Sequence, residues 1–303
     1  MRSKRAFATL ILTAAAIPAF ADGPAAVPDF SGTWGRNAFN FETPPSEPGP
    51  IRNLRRVGKD ASTPTTGGGD PIPLVGDYMN PILKPHAAEV VKRMGEGSVS
   101  GHDILDPSNQ CAPYSPPYVL VMQQRVTVLQ TKNEVTLVYS QDDQVRHVRL
   151  NEAHPAHPAP SPMGHSVGHY EGDTLVVDTI GIKVGPYTMV DRFGTPQSEA
   201  MHVIERYRLI DDEEARAAQE RHEQTAGRLG GKAGNTSFVP GYKKGLQIQV
   251  TIDDPNTYTT QWSGNITYRL TQDSFEERIC AENASQGLHE GIEHPPTADK
   301  PDF

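Results

Sequence analysis

The sequence predicts an all-β protein: an antiparallel β-barrel of about 8–10 strands, with a long irregular N-terminal wrap and one inserted helix. Three observations carry this. Beyond residue 118, short β-branched and aromatic runs alternate with polar turns such as Thr131-Lys132-Asn133 and Gln141-Asp142-Asp143. Those runs follow one another without the helices of a βαβ pattern. With 27 Gly and 27 Pro among 303 residues, the chain also needs long irregular stretches.

In chain order, Met1-Arg2-Ser3-Lys4-Arg5 is a basic start, followed by an apolar run that closes on Ala19-Phe20-Ala21. This is the pattern of a secretory signal peptide over residues 1–21, cleaved after Ala21. The apolar run is shorter than the roughly 18 residues a transmembrane helix needs, and no later segment reaches that length. The expected location is periplasmic or secreted, with no membrane insertion. Losing Arg2, Lys4 and Arg5 and no acid moves the formal charge from -9 to -12. An acidic chain without basic clusters repels phosphate backbones, so nucleic acid is not an expected partner.

Residues 29–34 read as a first strand, and 37–80 as a wrapping loop rich in Pro, Gly, Ser and Thr. A helix is expected over 84–94, with Pro85 in its first turn and an apolar stripe of Ala87, Val90, Val91 and Met94. Strands over 118–122, 125–130, 134–139 and 144–150 form an antiparallel meander. A hairpin follows at 165–182 and another strand at 201–210. Residues 211–224 form a helix with acids in its first turn, whose apolar residues are only alanines. It can bury little, so 211–241 is expected outside the main body, as a candidate lid or a solvated excursion. Strands over 246–252, 257–262, 266–270 and 275–280 complete a single domain spanning 22–288, and 289–303 is a flexible tail.

Cys111 and Cys280 are the two cysteines, and export makes a disulfide between them the default reading. The alternative is a cysteine nucleophile.

The hairpin at 165–182 concentrates the chemistry. If Gly172-Asp173 is a two-residue turn, Glu171 pairs with Thr174. Alternation then sets His165, Val167, His169 and Glu171 on one face with Thr174, Val176, Asp178 and Ile180. Asp178 falls opposite Val167, diagonal to both histidines. The other face, with Tyr170, Leu175 and Val177, reads as packing. A neutral histidine is a general base near pH 7, and a carboxylate fixes its tautomer. His202 and Glu205 lie three apart on one strand and so point to opposite faces, with Arg206 beside His202 and Tyr207 beside Glu205.

His154 and His157, in a proline-rich loop, join His165 and His169 as four histidines close in sequence, enough to build a metal site with His165 and His169 as ligands. No H-E-x-x-H or paired-cysteine spacing accompanies them, so the loop pair reads as solvent-exposed and no metal or other cofactor is expected. His289 to His294 is spaced one residue too long for a zinc-protease motif, and Ser166 lacks a nucleophile-elbow setting.

Two resemblances add to this. Gly32-Thr33-Trp34 resembles the G-x-W signature of lipocalins, and Arg269 resembles the late-strand arginine that packs over that tryptophan. The blocks at 29–34, 163–179, 198–207 and 279–283 also resemble a family of exported proteins from Gram-negative bacteria, whose members are shorter where 211–241 sits here. These resemblances imply a lipocalin-like barrel and an exported location, and they carry no reaction.

The expected function is a small-molecule enzyme of the lyase, hydratase or isomerase type, acting on a partly apolar molecule inside the barrel. His169 transfers the proton, Asp178 orients it, and His165 or His202 is a second donor. Glu205 is a further catalytic candidate, Tyr170 or Tyr207 faces a developing oxyanion, and Arg206 and Trp262 line the binding site. Two other readings stand beside it: a periplasmic binding or carrier protein of the same fold, and a metal-dependent hydrolase using the histidine cluster.

Overall fold

The computed structural model describes residues 27–37, 40–42, 44, 48–54, 74–100, 107–122, 125–140, 143–226, 236–273 and 280. The segments expected as a signal peptide, 1–21, and as a flexible tail, 289–303, lie outside these residues.

Nine strands close into one barrel, each beside its neighbours in sequence. They are β1 Gly32–Gly35, β2 Arg125–Gln130, β3 Glu134–Tyr139, β4 Val145–Leu150, β5 His165–Glu171, β6 Thr174–Ile180, β7 His202–Asp211, β8 Lys244–Asp253 and β9 Trp262–Leu270. The short β1 closes the ring by pairing with both β2 and β9. One junction departs from the expected meander: β4 and β5 run parallel, with Val148 beside Ser166. The chain between them, 151–164, therefore has to turn back outside the barrel.

Period-two alternation explains the core. Trp34 (β1), Leu137 (β3), Val148 (β4), Val177 (β6), Ile248 (β8) and Ile266 (β9) all point inward and are almost wholly buried. Trp34 donates from its indole nitrogen to the Phe30 carbonyl oxygen at 2.8 Å. Arg269 lies on the opposite face of its strand: it stacks over Phe238 at 4.3 Å and binds Asp212 at 2.7 Å. The expected packing of Arg269 over Trp34 is thus not what forms. Gly35, Trp34's outward neighbour in β1, is the residue in register with Arg269.

Among the described residues, three α-helices accompany the barrel. The first, α1 (Pro85–Val99), starts where expected and runs five residues further, burying Ala87 and Val91. Residues 118–122 were expected as a strand and instead form a helix, α2 (Tyr118–Met122). Their run of apolar residues has no period, and such a run reads the same for a buried strand and a buried helical turn. Tyr118, Val119, Leu120 and Val121 are all at 0–1% exposure, and the Val119 amide donates to the Ser115 carbonyl oxygen at 2.9 Å, which closes a helical turn.

The helix α3 (Asp212–Ala226) corrects the picture of a detached insertion. It lies along β7, β8 and β9. Ala215 and Ala218 are buried there, and Gln219 donates to the carbonyl oxygens of Gly35 and Thr267. A side chain at Gly245 would come within 2.2 Å of the Ala215 methyl, so small residues on both partners permit the approach. Alanines bury little each, but they let the helix sit close.

Residues 257–262 do not make a strand of their own. Asp254 accepts hydrogen bonds from the Asn256 amide and the Thr257 hydroxyl, holding 254–258 as a turn, and one strand resumes at Trp262. Of the strand expected at 275–280 only Cys280 is described, in helical backbone. The disulfide forms as expected: Cys111 is bonded to Cys280, tying the segment before α2 to the segment after β9. No described helix is long and apolar enough to cross a membrane.

Candidate functional site

The hairpin pairs as the turn predicts. Gly172 takes a positive φ of 62°, Glu171 faces Thr174, Val167 faces Asp178 and His169 faces Val176. Its two faces are distinguished by their neighbours. Ser166, Gly168, Leu175, Val177 and Thr179 point into the barrel and are buried. His165, His169 and Asp178 therefore stand on the outer wall, and the expectation that the histidines line the interior is corrected by this register.

On that wall the two hairpin histidines belong to different groups, about 13 Å apart along β5. His169 is more than half exposed and contacts Glu171 at 3.1 Å, which Arg206 also binds at 2.5 Å. First the Arg206 guanidinium and then His169 hold the Glu171 carboxyl below its usual range. His169 does not reach Asp178.

Asp178 has other partners. Its Oδ1 lies 2.7 Å from Nε2 of His202 and 3.0 Å from Nε2 of His154, so one carboxylate oxygen joins two imidazoles. His202 is placed by β7, where Ile204 is directly opposite Asp178 and His202 is diagonal on the same outer face. His154 is placed by the returning loop 151–164. That loop is pinned to the hairpin by Asn151 N to Gly168 O, by Ser161 N to Gly181 O and by Lys183 N to Ser161 O. From there Nδ1 of His154 lies 2.9 Å from Nδ1 of His165, whose Nε2 is 3.4 Å from Arg149.

A single proton assignment satisfies every contact. His202 and His154 each donate from Nε2–H to Asp178. His154 Nδ1 is then the acceptor, and His165 donates to it from Nδ1–H. This leaves lone pairs on His165 Nε2, beside the Arg149 guanidinium, and on His202 Nδ1. Burial, then His154 and Arg149, lower the pKa of His165 and keep it neutral near pH 7. The cluster is half-buried, with Ile180 and Ile204 as apolar neighbours on the same face. Chemically it is a carboxylate-oriented pair of bases beside a cation.

His165 and His169, the two ligands a metal site in this hairpin would use, lie four residues apart along β5 and belong to different groups. Among the described residues no three His, Cys, Asp or Glu side chains are arranged to hold a metal ion. His157 is exposed, as expected for its loop.

The interior holds a second polar group. Glu205, fully buried, binds Arg146 at 2.9 Å and accepts a hydrogen bond from the Tyr207 hydroxyl. Arg146 also donates to Ser166 at 2.9 Å and to Thr179 at 2.6 Å. Burial, and next to it the Glu205 carboxylate, push the Tyr207 phenol well above its usual range. The Tyr207 proton is thus committed to Glu205. Tyr170 accepts from Gln130 at 2.9 Å, and Trp262 packs edge-on to Phe41 and Tyr258. Ser166 serves Arg146, not a hydrolytic centre.

Sequence reasoning missed two residues. His154 sits in a proline-rich loop that reads as solvent-exposed, and only the parallel β4–β5 junction brings it back over the hairpin. Arg146 had a legible signal: alternation along β4 puts it on one face with Val148 and Leu150.

Compared with known protein families, curated proteins and solved structures, the chain matches none.

Proposed function

We propose that this protein is an exported small-molecule enzyme of the lyase, hydratase or isomerase type, whose acid–base site lies on the outer wall of the barrel. The observation that carries the reading is Asp178 Oδ1, shared at 2.7 and 3.0 Å between His202 and His154. A carboxylate so placed fixes the Nε2–H tautomer of His202 and stabilises the imidazolium that forms when Nδ1 takes a proton. His202 is the base in this reading and Asp178 its positioning residue. His154 and His165 form a second arm that ends beside Arg149.

The substrate is a small, partly apolar molecule with an anionic or carbonyl group. Ile180 and Ile204 support its apolar part, and Arg149 neutralises the negative charge. In the step proposed, a substrate C–H proton moves to His202 Nδ1 and the electron pair stays on the substrate as an enolate. The disulfide supports an oxidising compartment, and the basic-then-apolar start of the chain supports export through a cleaved signal peptide.

The test is proton exchange. The mature protein is incubated in D2O with a panel of keto and hydroxy carboxylates, and loss of the α-proton signal is followed by NMR. Exchange of at least one member, lost in His202→Ala and Asp178→Asn, is the expected result. Exchange that survives both substitutions, or no exchange across the panel, would overturn the reading.

A further inference from the structure

We propose that the barrel interior holds a small organic carboxylate against Arg36. The argument begins with charge. Arg36 directly follows β1, and alternation past Gly35 turns it to the side of Trp34. It is 1% exposed, and its guanidinium lies 5.6 Å from the Tyr268 ring centre. Its NH2 donates to the Asn40 carbonyl oxygen at 2.9 Å. Nε and NH1, which carry three N–H donors between them, have no hydrogen-bond partner among the described residues.

A guanidinium cannot shed its proton, and a buried unpaired cation is among the least favourable groups a protein can hold. The other charged groups around it do not cancel it. Arg146 and Glu205 are already an ion pair. Glu42, the remaining carboxylate that Tyr268 senses, directs its oxygens to the amide and hydroxyl of Thr267. Among the described residues no carboxylate is left over to balance Arg36.

The Tyr139 hydroxyl, also buried, stands against Arg146 and Glu205 and so belongs to the surroundings of that ion pair. Tyr268 itself is satisfied, donating to the Leu120 carbonyl oxygen of α2 at 2.9 Å. Three buried guanidinium donors suit a carboxylate. One negative charge balances the interior, whereas a phosphate dianion would overshoot, and the aromatic and apolar walls suit an organic body.

The test uses the full mature protein, purified without organic acids. An extract of the denatured protein is examined for carboxylates by mass spectrometry. Thermal unfolding is then followed in sodium acetate and in sodium chloride at equal ionic strength, for the wild type, Arg36→Lys and Arg36→Met. Either of two results supports the proposal: a near-stoichiometric carboxylate in the wild-type extract that is absent from Arg36→Met, or acetate-specific stabilisation of the wild type that Arg36→Met lacks. By linkage, acetate at about a hundred times its Kd lowers the unfolding constant roughly a hundredfold. Arg36→Lys keeps the charge and should retain part of the response, which covers the case in which Arg36→Met fails to fold. An empty extract together with equal responses to acetate and chloride overturns the site and assigns the unpaired donors to buried water.

Discussion

His202 reaches Asp178 across two adjacent strands: its Nε2 lies 2.7 Å from Asp178 Oδ1, on the diagonal of the β6–β7 pair and outside the barrel. Both residues are about one-third exposed, so the contact is open to a small molecule while its backbone is fixed by the sheet. Strand-borne groups are held more tightly than loop-borne ones. If His202 is the base, His202→Ala should lower kcat for the exchanging substrate by roughly a hundred- to ten-thousand-fold. Asp178→Asn should lower kcat with little change in KM, because it acts through the imidazole. His169→Ala should leave both constants near wild type, since His169 is turned to Glu171. Steady-state kinetics on the three variants checks this. An intact His202→Ala paired with a dead His169→Ala would return the chemistry to the other end of β5.

The interior ion pair predicts a strong asymmetry in stability. Removing one partner leaves a charge buried and alone, which costs about 3–5 kcal/mol. Glu205→Ala and Arg146→Ala should each lose stability on that scale in urea unfolding. Replacing both by apolar residues of similar volume, Arg146→Met with Glu205→Leu, should recover most of it. A double variant no better than either single one would show that Ser166, Thr179 and Tyr207 depend on the pair more than this predicts.

How much of this was legible depends on which physical signal each part carries. The hairpin register was readable because Gly172-Asp173 limits the turn to two residues and alternation does the rest. Which face turns outward was not, since valines occupy both faces and Val167 and Val176, on the outer one, are buried as well. The parallel β4–β5 junction lay beyond reach because nothing periodic marks the chain from 151 to 164. His154 was lost with it. The docking of α3 was missed because its contacts come from small residues and from Gln219, which no hydrophobic stripe announces.

Asp191 makes the stability of the loop before β7 depend on pH. Burial raises its carboxyl to about 6, against the hydrogen bonds from Thr195 and the Phe193 amide that favour the anion. Its folded pKa lies above its unfolded one, so the folded state holds the proton more tightly. The stabilisation is complete at low pH and is lost as pH rises from the unfolded pKa, about 3.9, through about 6. Two units correspond to about 3 kcal/mol. Asp191→Asn keeps an acceptor for the Phe193 and Thr195 amides without the titration. The difference in stability between wild type and Asp191→Asn, measured by urea unfolding from pH 4 to pH 8, should grow in favour of the variant across that window. A difference that stays flat would mean that Asp191 titrates normally.

His165 runs the opposite way and separates the two arms of the outer site. Its folded pKa is lowered by burial, by His154 and by Arg149, so the unfolded state binds the proton more tightly. Its contribution is complete above the unfolded value near 6.5 and is lost as pH falls below it. Protonating His165 also places two cations side by side, because Arg149 is 3.4 Å away. If the arm through His154 and His165 only supports Asp178, His165→Ala should remove the acid-side loss of stability and leave the pH profile of kcat/KM unchanged. If it carries protons, the acid limb of that profile should shift in His165→Ala and in His154→Ala alike. The shared shift is expected, because His154 is the one described side chain that touches both His165 and Asp178. A change in stability with no change in either profile would confine the chemistry to His202 and Asp178.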